Sequence, residues 1–226
     1  MAPGDAYGMA AGADEVDCLH ADEDLLVLAK PSGLLCVPGR GPDKQDCLSR
    51  RAQERWPQAL VVHRLDQATS GLVLMARTPD VQRRLGRAFE LRQVRKRYQA
   101  VVTGHMVAPE NGAWAEINLP IAADWERRPL RVIDPVHGKP SLTRWRVLAH
   151  DDATHTTRIE LEPVTGRTHQ LRVHLAAVGH AILGDALYGD ACTRTQSPRL
   201  LLHAAWLAFE HPGTGQNIEF SLPAPF

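Results

Sequence analysis

The chain reads as an α+β protein rather than a doubly wound α/β one. Three observations predict this. Short apolar runs bounded by Gly, Pro, Asp and Ser clusters recur along its length and read as strands. Helical spacing appears only in scattered segments, so strands and helices do not alternate as βαβ units. The end of the chain, Leu200 to Glu210 and Asn217 to Leu222 around Pro212-Gly213-Thr214-Gly215, reads as a hairpin.

From the start, residues 1–20 form an acidic, Gly/Ala-rich extension that is expected to be disordered. Residues 21–226 are expected to be one domain. The apolar run after Asp24, then Lys30-Pro31-Ser32-Gly33, then Leu34-Leu35-Cys36-Val37 reads as strand, turn, strand. A helix is expected around Gln45 to Trp56, stopped by Pro57. Ala59 to Val62 and Leu72 to Ala76 read as short buried strands. The next helix is the clearest. Thr78 is placed as N-cap and Pro79 at the first helical position. Val81, Leu85, Ala88 and Phe89 then recur on one face. A strand is expected from Tyr98 through Val102 to Gly104. Residues 105–140 read as irregular. Strands resume at Ser141 to Ala149 and Thr156 to Glu162. Thr168 is placed to cap a helix carrying Leu171, Leu175 and Val178, with Gly179 as its stop. No internal repeat is visible.

Composition narrows the class. With 226 residues, 44% hydrophobic and 23% charged, the chain can bury a sizeable core. No apolar run reaches the roughly 18 residues of a membrane span. The N-terminus lacks the basic start and apolar core of a signal peptide, so a cytoplasmic protein is expected. Cys18, Cys36, Cys47 and Cys192 show no metal spacing and read as reduced thiols. Lys plus Arg and Asp plus Glu balance at 26 each. That zero total hides a segment from 82 to 98 holding Arg83, Arg84, Arg87, Arg92, Arg95, Lys96 and Arg97 against Glu90 alone. The segment is either a solvated face or a nucleic-acid footprint.

The stretch His63-Arg64-Leu65-Asp66-Gln67-Ala68-Thr69-Ser70-Gly71 places a carboxylate between two apolar runs, where a strand gives way to a loop. Taken alone, such an aspartate is most often a turn former. The stretch closely resembles the HRLDxxTSG signature of the RluA-type RNA pseudouridine synthases; the related RsuA type usually has Gly at the position of His63. Lys30-Pro31-Ser32-Gly33-Leu34 resembles the KPxGL motif of that family, and Lys96-Arg97-Tyr98 its K-x-Y motif. Gly166 to His174 resembles its GRTHQ(I/L)R(V/L)H motif, and Leu202-His203-Ala204 its LHA motif. The resemblance runs from about Asp22 to Phe226. The run Ala123-Asp124-Trp125-Glu126-Arg127-Arg128-Pro129, the small size and the lack of an S4 domain point to the small dual-specificity branch.

The resemblance implies a mixed, mainly antiparallel sheet with a central catalytic cleft flanked by helices and loops. It implies that Asp66 is the nucleophile, that Tyr98 lies in the active site and that Arg172 pairs with Asp66. Breaking a C–N glycosidic bond, turning the uracil and rejoining it through carbon is an isomerisation, so neither cofactor nor metal is expected. A carboxylate is a competent covalent nucleophile. With a reference pKa of about 3.9 it is ionised at neutral pH, and a guanidinium offsets the penalty of burying it. Tyr98 offers a flat ring for a base flipped out of its stack. RNA contacts are expected from Arg64, Arg83, Arg84, Arg87, Lys96, Arg127 and Arg128, with Arg131 beside the last two. The implied partners are tRNA, at uridine 32 of the anticodon loop, and large-subunit rRNA, at uridine 746 of a 23S hairpin. The chain is expected to act as a monomer.

Two other readings stay open at this level. One is a non-catalytic RNA-binding or RNA-chaperone protein on the same scaffold. The other is a glycoside hydrolase using Asp66, which needs a second carboxylate, for which Glu160 and Glu162 are the nearest candidates. His169 and His174 are five residues apart, the wrong spacing for a metal-binding helix face. The Gly39 to Lys44 segment does not match a P-loop.

Overall fold

The computed structural model describes residues 16–107, 109 and 112–226. Ten strands form a single sheet in the order β1-β2-β4-β11-β5-β10-β9-β6, with β12 added to β11 and β3 to β4. These are β1 Asp17–Ala21, β2 Leu25–Lys30, β3 Leu60–Val61, β4 Ser70–Ala76, β5 Arg95–Thr103, β6 Ala115–Asn118, β9 Leu142–Asp151, β10 Thr156–Pro163, β11 Leu202–Glu210 and β12 Asn217–Ser221. A separate pair, β7 Ile121–Ala123 and β8 Arg131–Ile133, makes a two-stranded ribbon. The helices are α1 Leu48–Arg55, α2 Pro79–Glu90, α3 Gln170–Ala177 and α4 Ala191–Thr195. The α+β class and the mainly antiparallel sheet are as expected.

Every strand pairing in the sheet is antiparallel except β4 with β11, where only His203↔Ser70 and Ala204↔Gly71 align in parallel. This short junction joins two halves of the sheet. It requires a glycine: Gly71 has φ +116, and a Cβ there would run into the backbone of Ala204.

On the β1–β4 side, period-two alternation splits the apolar residues between the two faces. Leu26, Leu28, Val73 and Met75 pack with α1 and Leu65. Leu25, Val27, Leu72 and Leu74 pack with Val81 and Leu85 of α2. In the other half, Leu171 and Leu175 of α3 pack on Ala100, Val102, Ile159 and Leu161. Tyr98 packs against the clusters of both halves.

α2 forms where its capping signals place it: the Thr78 side chain accepts a hydrogen bond from the Val81 N–H at 3.2 Å, with Pro79 at the first position. Elsewhere the structure corrects the sequence. The extension expected to be disordered to residue 20 contains β1 from Asp17, because Cys18 and Leu19 pack on opposite faces of the sheet; residues 1–15 of that expectation lie outside the described residues. Leu34 to Val37 is not a strand. The carbonyls of Leu35 and Cys36 accept instead from Leu48 and Ser49, the orphan N–H groups that open α1. The 105–140 segment, read as irregular, contains β6, β7 and β8. Thr168 does not cap α3; the N-cap position falls on His169, in a left-handed conformation with φ 57 and with no side-chain capping hydrogen bond. No helix among the described residues is long and apolar enough to cross a membrane.

Candidate active site

A cleft of about 770 Å³ opens over the β4–β11 junction. Asp66, Tyr98 and Arg172, drawn from three motifs far apart in sequence, all line it. So do Arg64 and Lys96, together with Arg92, Arg95 and Arg167.

Asp66 is set by what holds its loop. Leu65 is buried, and its N–H donates to the Cys36 Sγ at 3.2 Å. Thr69 N–H donates back to the Asp66 carbonyl at 3.1 Å and closes the turn. The neighbouring Lys30-Pro31-Ser32-Gly33 turn fastens the loop from below. The Lys30 ammonium, only 2% exposed, donates to the carbonyls of Pro31, Leu34 and Gln67 at 2.8, 2.7 and 2.9 Å. Gly33 N–H also donates to Gln67 O, and Ser32 Oγ to Ala68 O. Burial pulls the Lys30 pKa down to about 8, so three carbonyl dipoles hold a still largely protonated ammonium at neutral pH. Behind the loop, Ser70 Oγ and His203 Nδ1 lie 2.8 Å apart, which gives the Leu202-His203-Ala204 segment its role.

His63 takes a backbone's place. β3 ends at Val61, and the His63 Nε2 accepts the Leu74 N–H of β4 at 2.9 Å. Its ring stacks on Phe89 with centroids 4.5 Å apart. Burial, then the Lys96 charge, pushes the His63 pKa down to about 3, so the ring is neutral, as an acceptor must be.

Arg172 is 5% exposed and answers to two carboxylates. Its Nε and one terminal nitrogen donate to Asp185 at 2.8 and 2.6 Å. The other terminal nitrogen lies 3.7 Å from the Asp66 Oδ2. Burial works against the guanidinium charge, but the hydrogen bonds and charge of Asp185, with the charge of Asp66, outweigh it and raise the Arg172 pKa. Its plane also covers the Tyr188 ring at 5.1 Å. Asp185 is 1% exposed and further accepts the N–H groups of Leu187 and Tyr188. Burial, with the charges of Asp66 and Cys36, raises the Tyr98 pKa and keeps its phenol protonated.

Asp185, Tyr188, His169, Lys30 and His203 are the site residues that sequence reasoning missed or gave no such role. A signal for Asp185 was present. It follows the apolar Ala181-Ile182-Leu183 between Gly184 and Gly189, which is again an acid at the end of an apolar run. His169 and His174 do not converge: His174 is fully buried between Thr143 Oγ1 and the Leu119 carbonyl, while His169 faces Asp66. The two acids weighed as a hydrolase's second carboxylate are both engaged by arginines, and so is Asp185. Glu160 is paired with Arg146, Glu162 with Arg144, and Asp185 with Arg172.

The basic candidates divide. Arg83, Arg84 and Arg87 lie outside the cleft lining on the exposed face of α2, where Asp80 pairs with Arg83 at 3.1 Å and Arg84 at 2.8 Å. Arg127 is held by Asp124 at 2.7 Å, and Arg128 lies 4.3 Å from the ring centroid of Trp125, which is 72% exposed. Lys96 is half-buried in the cleft, and burial lowers its pKa.

Residues 24–177 match a family model described as RNA pseudouridylate synthase. The chain is 45% identical over 211 residues to the dual-specificity RNA pseudouridine synthase RluA of Pasteurella multocida, covering 93% of this chain and 94% of that one. It is 44% identical over 208 residues to the protein of the same name from Escherichia coli K12, covering 92% and 93%. Among solved structures, human RNA pseudouridylate synthase domain containing 1 superposes with a TM-score of 0.78 at 32% identity, covering 96% of this chain and 87% of that one.

Proposed function

The chain belongs to the RNA pseudouridylate synthase family, and from that premise we propose that it isomerises uridine in RNA hairpin loops with Asp66 as nucleophile. The enzyme is an isomerase acting on RNA. The substrates are uridine 32 of the tRNA anticodon loop and uridine 746 of a 23S rRNA hairpin; the high identity to dual-specificity relatives over nearly the whole chain supports this.

The observation that carries the reading is the position of Asp66. It is a 27% exposed carboxylate in a basic cleft, within 4 Å of a buried guanidinium whose other hydrogen bonds are committed elsewhere. Asp66 forms the covalent link to the substrate that opens the C1′–N1 bond. The uracil turns, C5 bonds to C1′, the link to Asp66 breaks and returns its electron pair to the carboxylate, and the proton displaced from C5 leaves as N1 gains one. Arg172 offsets the negative charge of the free carboxylate before and after that link exists. Tyr98 supplies the flat wall against which the flipped base rests, with a phenol that stays protonated. Arg64, exposed at the cleft mouth beside Asp66, fills the gap left in the RNA stack or binds an adjacent phosphate. Lys96 meets the backbone within the cleft. Arg127 and Arg128, with the surface of α2 carrying Arg83, Arg84 and Arg87, extend the electrostatic contact.

A loop base is already partly unstacked, so flipping it costs less than extracting it from a duplex, by a few kcal/mol at most. The test is a short anticodon stem-loop labelled with tritium at uracil C5. Tritium release in EDTA, with no added nucleotide, is expected from the wild-type enzyme. Reaction confined to duplex uridines, or blocked by EDTA, overturns the reading.

A further inference from the structure

We propose that His169, locked in one tautomer by Tyr188, is a second hydrogen-bond donor to Asp66 and positions it for attack. This rests on the reading of Asp66 as nucleophile.

The backbone gives the first reason to look. His169 has φ 57 and ψ 16, a left-handed conformation that side-chain-bearing residues seldom adopt. The strained position points its ring at the cleft: Nε2 lies 3.9 Å from Asp66 Oδ2, with the side chain 10% exposed. Outliers of this kind concentrate where a side chain must be aimed.

The proton inventory gives the second. The Arg131 N–H donates to the Tyr188 hydroxyl oxygen at 2.9 Å. With one lone pair so engaged, the phenol hydrogen is assigned to His169 Nδ1, which stands 2.7 Å away. Accepting that hydrogen requires a bare Nδ1, so the neutral ring carries its hydrogen on Nε2, toward Asp66. The groups facing the ring are Asp66 from the β3–β4 loop, Arg172 from α3, Arg131 from β8, and Asp185 and Tyr188 from the loop after α3. Burial holds the His169 pKa down; Asp66 opposes it, and Arg172 and Arg131 reinforce it.

Arg172 and His169 both approach the same oxygen, Oδ2, at 3.7 and 3.9 Å. Oδ1 is the oxygen left to attack. Both gaps are longer than a hydrogen bond and close with a small shift of the carboxylate. The chemistry favours one cation and one neutral donor over two cations. Once Asp66 has become an ester it bears no charge, and a second cation would be left facing it unpaired in a poorly solvated site.

The experiment compares His169→Asn, His169→Gln and Tyr188→Phe in the full-length protein on the anticodon stem-loop. Asn suits the left-handed backbone and reaches toward Tyr188 but offers no N–H at the Nε2 position; Gln reaches that position. His169→Asn is expected to lower kcat roughly tenfold or more, with KM nearly unchanged, and to move the acidic limb of the pH–rate profile upward. His169→Gln should recover most of kcat. Tyr188→Phe frees the tautomer and should fall between. Wild-type kcat and an unmoved acidic limb in His169→Asn overturn the proposal, as does an effect on KM alone or a failure of Gln to rescue. If His169→Asn does not fold, an unmoved acidic limb in Tyr188→Phe overturns it. Asp66→Asn separates the two readings: turnover by that variant sinks the nucleophile assignment itself, whereas a dead Asp66→Asn beside a fully active His169→Asn sinks only this proposal.

Discussion

Two loops meet at Arg172, each bringing an aspartate, and the two carboxylates are treated in opposite ways. Asp185, on the loop after α3, is 1% exposed and bound twice to the guanidinium and twice to backbone N–H groups. Asp66, on the loop before β4, is 27% exposed, and its nearest cation is 3.7 Å away. A carboxylate whose lone pairs are all engaged is a structural clamp. One held just short of its donors keeps its nucleophilicity while its charge is still compensated. The contrast teaches that an arginine immobilised at one end can hold its other end beside a carboxylate it does not bind.

That contrast is broken or sharpened most strongly by removing each acid in turn. Asp66→Asn should lower tritium release by more than about a thousandfold, as loss of a covalent nucleophile does, while leaving the melting temperature and RNA affinity close to wild type. Asp185→Asn should do the reverse first. It strips a buried guanidinium of its partner and should cost about 3–5 kcal/mol in urea unfolding. A wild-type unfolding midpoint for Asp185→Asn would erase the distinction between clamp and nucleophile.

Arg172→Met tests the shared end. It strands Asp185 and withdraws the cation from Asp66, so stability should fall and the acidic limb of the surviving activity should shift upward. An acidic limb that stays in place would leave the counter-charge role without support.

A smaller effect concerns the other wall of the cleft. The folded pKa of His63, about 3, lies below the unfolded value near 6.5. Between those values the unfolded chain binds the extra proton. The His63 contribution is therefore complete above about pH 6.5 and is lost as pH falls through that window, by at most about 1.4 kcal/mol per pH unit. His63→Gln should flatten the acid side of a plot of melting temperature against pH relative to wild type. Parallel curves would mean that protonation of His63 contributes nothing to the loss of stability in acid.

The smallest effect is expected far from either acid. Replacing Arg83, Arg84 and Arg87 by Gln should weaken binding to all RNAs alike and flatten the dependence of log K on log salt. Because Asp80 already engages two of the three, the change in slope should be less than three full charges. An unchanged slope makes the α2 arginines a solvated face and moves the RNA path to the cleft mouth, at Arg92, Arg95 and Arg167.

What was legible in the sequence was local. Thr78-Pro79 fixed the start of α2 because capping involves residues three apart. The apolar runs of β2 and β4 read as buried strands because nearly every residue in them is apolar. Asp66, Tyr98 and Arg172 stand out in the sequence because the motifs that carry the family resemblance are short and contiguous, and the fold brings all three into one cleft. The segments whose expected structure differs from the observed one depend on distant partners: the Leu35 and Cys36 carbonyls serve the first N–H groups of α1 instead of a strand partner, and the N-cap position of α3 falls on the left-handed His169 instead of Thr168.

The sequence by itself determined the fold class, the clear helix and the motifs of the family, since periodicity and neighbouring side chains are properties of the chain. The tertiary structure alone decided which acid Arg172 grips, which nitrogen of His169 faces Asp66, and that the buried Lys30 secures the loop carrying Asp66. Those outcomes depend on hydrogen bonds between loops remote in sequence, whose geometry is set only when the two halves of the sheet close around Tyr98 and the β4–β11 junction.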